Sequence, residues 1–290
     1  MLLMLDPTRL RLLSELARRG TMIAVGEACR MSSSAVSQQL ATLEREAGVP
    51  LFTRAGRRVR LTAEGERLVG HAHTILHAME AAEEDLRAAA TPRGPLRVAC
   101  FGTATAARLL PAIVAARERH PELRVIVHEM EPRESLAALA DGGCDVAITF
   151  GYNVIPEDPP PGTTRHRLGS EPIMLALPDG RDTRTLHDEA WIAGSAGTTD
   201  HELLDRVCAL AGFRPNVVHT ADDYALVLRM VRAGLGVALV PELVASVTGV
   251  PDGVALRPLP GPPITRTTHA VLRTETPAVR ALLSLLTAPR

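Results

Sequence analysis

Apolar positions in the first sixty residues recur at helical spacing. In "DPTRLRLLSELARRG" (residues 6–20), Leu10, Leu13, Leu16 and Ala17 fall on one face. Asp6 is placed to cap this helix, Pro7 to open it and Gly20 to stop it. A second short helix is expected from just after Thr21 to about Cys29. A third runs from about Ser33 to Ala47, turns Val36, Leu40 and Leu43 inward, and stops at Gly48-Val49-Pro50. The period then changes. "LFTRAGRRVRL" (51–61) carries two short apolar–polar alternations around Ala55-Gly56-Arg57-Arg58, which predicts a hairpin with a basic tip. Three compact helices, a short turn before the third and such a hairpin together make a winged helix-turn-helix.

Residues 62–91 predict one long helix, capped by Thr62 and carrying Glu64 and Glu66 in its first turn. Leu68, Ala72, Ile75, Met79, Ala82 and Leu86 form a stripe in steps of three and four, a pattern that wants a partner helix. Self-association is its natural source. "TPRGP" (91–95) then reads as a hinge. From about 92 onward, short apolar runs alternate with helical stretches. "LRVACF", "LRVIVHEM", "DVAITF", "PIMLALP", "AWIAG", "NVVHTA", "GVALVP" and "THAVLR" are strand candidates, with helices over 105–119, 133–140, 200–210 and 223–233. This is the βαβ grammar of open parallel sheets. Eight strands in about 200 residues exceed one such sheet, so two α/β lobes are expected, one over about 92–164 and 266–290, the other over about 165–265.

Charge sharpens the division. Residues 1–61 hold ten Arg against five acids, a net of +5, whereas 62–91 hold two Arg against six, a net of −4. A basic block on a nearly neutral chain points to an anionic partner. The chain has no lysine, so every phosphate contact must come from a guanidinium group. Aromatic residues are scarce, which leaves Leu, Val, Ile and Ala to fill the cores. Cys29, Cys100, Cys144 and Cys208 are scattered without metal or disulfide spacing. No run reaches the ~18 apolar residues of a membrane span, and the N-terminus lacks the order of a signal peptide, so a cytoplasmic protein with no membrane partner is expected.

Several local phrases now add up. Gly20-Thr21, Ser32, Ala35-Val36-Ser37, Gln39-Leu40, Leu43-Glu44, Gly48, Leu51-Phe52, Arg54, Leu61-Thr62 and Gly65 stand at one family's spacing over about 45 residues. In these positions the block resembles the DNA-binding domain of the LysR-type transcriptional regulators. Downstream, "GGCDVAIT" and "RAGLGVALVP" and the order of parts are similar to the same family along essentially the whole chain. Two departures stand out. Ser33 occupies a position where members often carry Gln, which would remove a bidentate contact to adenine. Val25-Gly26 replaces a pair of alanines, and a mid-helix glycine is expected to soften the second helix by up to about 1 kcal/mol.

The resemblance implies an α+β multidomain chain: a winged helix-turn-helix (1–61), a linker and dimerisation helix (62–91) and a two-lobed α/β effector domain similar to type 2 periplasmic binding proteins (92–290). It implies double-stranded DNA as partner, at a partly palindromic promoter site, with a dimer or tetramer of the chain and RNA polymerase as a further candidate. Ser33, Ser34, Ser37 and Gln38 lie at the N-terminal end of the third helix, where hydroxyls and amides can pair with base edges. Arg54, Arg57, Arg58 and Arg60 would sit on phosphates or at the minor groove. In open α/β sheets a ligand lies at the carboxyl ends of strands. That rule nominates Gly102, Thr103 and Thr149 in one lobe and Gly194, Ser195, Ala196 and Thr220 in the other, for a small polar or anionic effector. No resident cofactor or metal is expected.

Rival readings rest on thinner motifs. "AGSAG" (193–197) resembles a nucleophile elbow, with Asp205 or Asp222 and then His269 in hydrolase order, but Ala193 replaces the first glycine. His73 and His77, near His71, could share a metal, yet no third ligand is near. A solute-binding protein would need export. The sequence therefore reads as a regulator that catalyses nothing.

Overall fold

The computed structural model describes residues 5–55, 58–86, 91–156, 160–181 and 186–287, with side chains left undescribed at 54–55, 58, 77, 80–81 and 83–86. Helix α1 (Pro7–Arg19) begins where the Asp6 carboxylate accepts from the Thr8 and Arg9 amides, and ends at Gly20, whose φ of 72° is left-handed. Thr21 caps α2 (Met22–Cys29) and Ser32 caps α3 (Ser33–Ala47). Val36, Leu40 and Leu43 are fully buried against Leu10, Leu13 and Leu16 in one small core. Each such side chain contributes roughly 1.5–3 kcal/mol by leaving water. Strands β1 (Phe52–Ala55) and β2 (Arg58–Leu61) pair antiparallel as the hairpin.

The mid-helix Gly26 of α2 has a packing role beside its low helix propensity. It is buried, and a Cβ there would come within 2.6 Å of the Met31 carbonyl oxygen. The Met31 amide in turn donates to the Gly26 carbonyl at 2.8 Å, so the glycine sets how closely the turn into α3 can fold back on α2. Its missing side chain is what lets the turn into α3 approach α2 this closely. Gly65 works alike, because a Cβ there would overlap the Leu51 carbonyl oxygen.

Helix α4 (Ala63–Leu86) divides the expected stripe in two. Ala72 is fully buried in the N-terminal core, with Leu68, Val69 and Leu76 packed beside it. Ile75, Met79 and Ala82 face outward. Leu68 and Ala72 are thus occupied within the chain, since α4 also has to close the base of the DNA-binding domain. Further along, the His73 Nδ1 and the Asp141 carbonyl lie 2.6 Å apart, joining α4 to the first lobe.

The first lobe is built on β3 (Gly94–Cys100), which pairs in parallel with β4 (Leu123–Glu129) and β5 (Val146–Tyr152). Between them run a helical stretch, composed of α5 (Gly102–Ala104), a π-turn (Thr105–Leu109) and α6 (Leu110–Arg119), and then α7 (Pro132–Ala140). The other edge is antiparallel: β11 (Thr265–Leu272) pairs with β5 and with β6 (Thr164–Pro178). Helix α11 (Pro277–Leu286) packs onto the same core.

Strand β6 carries the chain between lobes. Its residues 164–172 pair with β11 and its residues 173–178 with β9 (Ala238–Pro241) and β10 (Val254–Pro258). The crossing therefore falls at Pro172–Ile173, not at the expected 164/165. The second lobe adds the parallel pair β7 (Ala190–Ala193) and β8 (Asn216–Thr220), with helices α8 (Thr199–Leu210), α9 (Tyr224–Arg232) and α10 (Leu243–Thr248). Mixed sheets replace the expected parallel ones, because the crossing segments return as antiparallel strands.

Candidate functional sites

The exposed face of α3 is set by its cap. The Ser32 hydroxyl accepts from the Ala35 amide at 3.1 Å and lies 3.0 Å from the Ser34 hydroxyl. Ser33, Ser34 and Gln38 are exposed and Ser37 is half-buried. Gln39 turns the other way, accepting from Arg9, which also holds Glu46 at 2.6 Å and so locks α3 to α1. The face continues through Thr42 and Arg45, whose guanidinium donates to Thr42 at 2.8 Å. Sequence reasoning missed this pair, although their i+4 and i+7 spacing from Gln38 places them beside it. Glu44 accepts from the Leu51 and Phe52 amides and so fixes the start of the hairpin against α3. Arg60 is exposed on β2. Arg54 and Arg58 lie in the hairpin strands with their side chains undescribed, and Arg57 lies outside the described residues.

Between the lobes lies a cleft of about 460 Å3, lined by Phe101, Gly102, Thr103 and Phe150 on one side and by Tyr224, Ala225 and Thr248 on the other. Five carboxyl groups line it as well: Glu129 and Glu131 from the first lobe, Asp200, Asp222 and Asp223 from the second. Among the described residues its single lining cation is Arg266, and that side chain is engaged. The guanidinium is 1% exposed, binds Glu171 at 2.9 Å, donates to Thr103 at 3.3 Å, and lies 5.2 and 5.1 Å from the ring centres of Phe101 and Phe150. A buried cation held this way is neutralised by its partner and unavailable to an incoming anion. Of the small polar or anionic effector expected, an anionic one would face these carboxylates with no disengaged cation among the described lining residues.

The second-lobe acids are also tied inward. Asp200 accepts one phenol from Tyr152 and another from Tyr224, each at 2.6 Å. Burial and the Asp200 charge hold both phenols well above their ordinary pKa of 10.0, so both remain donors. Asp222 accepts from the Ser195 amide at 2.7 Å and from its hydroxyl at 2.6 Å. Among the described residues no hydrogen bond or ion pair engages the Glu129 or Glu131 carboxylate. Partial burial, and then the charges of Asp200, Asp222 and Glu134, push the Glu131 carboxyl up to about 7, with Arg266 pulling the other way.

Of the seven residues nominated from sequence, Gly102 and Thr103 line this cleft, and Gly194 lies in the narrow floor beneath it. Ser195 reaches it only through Asp222. Thr149 is buried on the opposite face of the sheet, with Ala147, while its neighbour Phe150 faces the cleft. Ala196 and Thr220 are exposed and do not line it. The strand-end rule found the right end of the sheet but not the pleat. Alternation within β11 would have flagged Arg266, which shares a face with the buried Thr268, Ala270 and Leu272.

The rival chemistries lose their geometry. Ser195 donates directly to Asp222 with no imidazole between them, Asp205 lies 3.9 Å from His201, and His269 sits in β11 of the other lobe. Burial and the charges of Arg165 and Arg167 lower His269 to about 4. Among the described residues no group of three metal-binding side chains occurs, and no helix is long and apolar enough to cross a membrane. His73 is held by the Asp141 carbonyl, His71 is exposed and the side chain of His77 is undescribed. The four cysteines are free, and burial pushes Cys100 and Cys208 up to about 12 and Cys144 up to about 11.

Two family models divide the chain as these two sites do. Residues 7–66 match the bacterial regulatory helix-turn-helix protein of the lysR family, and residues 89–288 match the LysR substrate binding domain. The chain belongs to the LysR family. It is a DNA-binding transcriptional regulator with an effector-binding domain. Among relatives of this LysR regulator, the HTH-type transcriptional regulator AlsR of Bacillus subtilis (strain 168) is 32% identical over 233 residues, 75% of each chain. The fold is that of a full-length OxyR variant from Pseudomonas aeruginosa, with a TM-score of 0.78 at 23% identity over 98% of this chain and 94% of that one. Full-length CbnR, solved in complex with its target DNA, matches with a TM-score of 0.63 at 23% identity over 97% of this chain and 98% of that one.

Proposed function

We infer that this LysR regulator works as a homodimer on a partly palindromic promoter site, and that a small molecule in the inter-lobe cleft alters its grip. The observation that carries the reading is the exposed N-terminal face of α3, Ser33, Ser34 and Gln38 with Ser37 beside them, held rigid next to an arginine-bearing hairpin. Side chains there meet base edges, and Arg54, Arg57, Arg58 and Arg60 hold phosphates. The solved CbnR complex with target DNA supports this arrangement. Ile75, Met79 and Ala82, exposed on α4, supply an apolar strip for a second copy. The regulator acts in the cytoplasm, touches RNA polymerase at the promoter, needs no resident cofactor and catalyses no reaction.

The test is a gel shift with the duplex upstream of its own gene, challenged with unlabelled unrelated duplex at rising salt. Gln38→Ala is expected to weaken specific binding by about tenfold or more while sparing binding to unrelated duplex. Arg60→Ala should weaken both alike and lower the salt slope by about 1. Wild-type binding that unrelated duplex competes away equally would overturn the reading of α3.

A further inference from the structure

The charge of the cleft selects what it can hold. This step rests on the reading of the inter-lobe cavity as the effector site. The cavity and the effector-domain match supply the site, and the carboxylates decide only the class of ligand. We propose that the cleft takes a small organic cation, an amine or guanidinium compound, bound between Glu129 and Glu131 of the first lobe and Asp200 and Asp222 of the second.

Three observations lead there. Among the described residues the lining carries five acids, and its one arginine already pairs with Glu171 and lies against two aromatic rings. An anion entering would displace Glu171 from a fully buried guanidinium or face unpaired carboxylates, and both are unfavourable in a partly desolvated cavity. Second, the acids with internal partners receive them as donors: Tyr152 and Tyr224 to Asp200, Ser195 to Asp222. That leaves the remaining lone pairs of Asp200 and Asp222 as acceptors toward the cleft, and a ligand must bring the donors. Third, Glu129 and Glu131, which no described side chain engages, stand on one lobe and the aspartates on the other. A cation between them offsets the repulsion of like charges facing across the cleft and adds charge-assisted hydrogen bonds to both walls. The two lobes already meet beside this cleft, where Tyr152 of the first donates to Asp200 of the second and Glu171, paired with Arg266, accepts from the Leu243 amide at the start of α10.

The experiment is isothermal titration calorimetry on the full-length protein at pH 8 and low salt. The probes are 1,4-diaminobutane and butylguanidinium, with succinate and benzoate as anions of comparable size. One cation per chain is expected to bind, about tenfold or more weakly in Glu129→Gln and in Glu131→Gln, and not at all in Ala225→Trp, which fills the cavity. Circular dichroism establishes that each variant is folded. Cation binding that none of the three substitutions alters lies elsewhere and overturns the proposal. Succinate or benzoate binding that Ala225→Trp abolishes overturns the charge assignment while leaving the cleft as the effector site. Titration of no probe also overturns the proposal. In that event, an unchanged promoter shift in Ala225→Trp, measured with cell extract as the source of effector, would count against the cleft itself.

Discussion

The face of α3 and the inter-lobe cleft both await a partner, and they are built in opposite ways. On α3, Ser33 and Gln38 project from one helix whose far side is apolar, and the structure asks little else of them. In the cleft nearly every polar group also serves the fold itself. Asp200 holds two phenols, Asp222 holds a serine, Asp223 caps α9 and Arg266 neutralises Glu171. A surface with few internal obligations can change its partner by single substitutions. One whose recognition groups also hold the lobes together cannot, so ligand selectivity and stability are linked in the cleft and separate on the helix.

The largest effect expected from this contrast is at Arg266. Arg266→Ala strands the Glu171 carboxylate in a site where the pair is almost fully enclosed, at a cost of about 3–5 kcal/mol to the effector domain. Urea unfolding followed by the fluorescence of Trp191, the chain's single tryptophan and 1% exposed, reports it directly. Arg60→Ala on the exposed hairpin should leave the same transition within about 0.5 kcal/mol. Equal losses in the two variants would erase the distinction between the regions.

A smaller effect tests whether the DNA-binding domain is as free of constraint as its outer face suggests. Helix propensity alone predicts that Gly26→Ala stabilises α2 by about 1 kcal/mol. The Met31 carbonyl oxygen, 2.6 Å from where the new carbon would sit, predicts a net loss of about 2 kcal/mol. Thermal unfolding by far-UV circular dichroism separates the two, and a stabilised variant would show that the α2–α3 turn can relax. The expected loss should also weaken promoter binding, since the turn sets the angle of α3.

This pair of variants marks what was legible in the sequence. The N-terminal helices, their caps and the inward positions Val36, Leu40 and Leu43 follow from local periodicity, because a small domain with one core has only one way to bury that face. The role of Gly26 was hidden, since its constraint comes from a carbonyl in the next turn. Most strands of the two lobes were legible as apolar runs, but β10 went unnoticed and the polar first half of β6, "TRHRLGSEP", carried no such signal and moved the crossing point. The cleft's chemistry was least legible. Thr149 was one residue away from Phe150, which is the wrong side of a pleat. Asp200 read only as a helix start and Asp222 only as a candidate hydrolase acid until the fold brought Tyr152 and Ser195 to them.

The smallest effect bears on the cleft alone, and its sign is fixed by the direction of the Glu131 shift. The carboxyl sits at about 7 in the folded chain against an ordinary 4.5, raised by partial burial first and then by Asp200, Asp222 and Glu134, with Arg266 opposing them. Between pH 4.5 and 7 the folded state keeps a proton that the unfolded state has released. Stability therefore falls as pH rises through that window, and the full penalty is present above it. Glu131→Gln carries no charge to penalise. Its melting temperature should match the parent's near pH 4.5 and exceed it at pH 8 by about 2 °C, a modest figure because the side chain opens to solvent and is screened. On α3, Gln38→Ala should shift the melting temperature by the same small amount at both pH values, since no ionisation is removed. A Glu131→Gln gain that is independent of pH would mean that packing, and not the charge of the acidic wall, sets its energy.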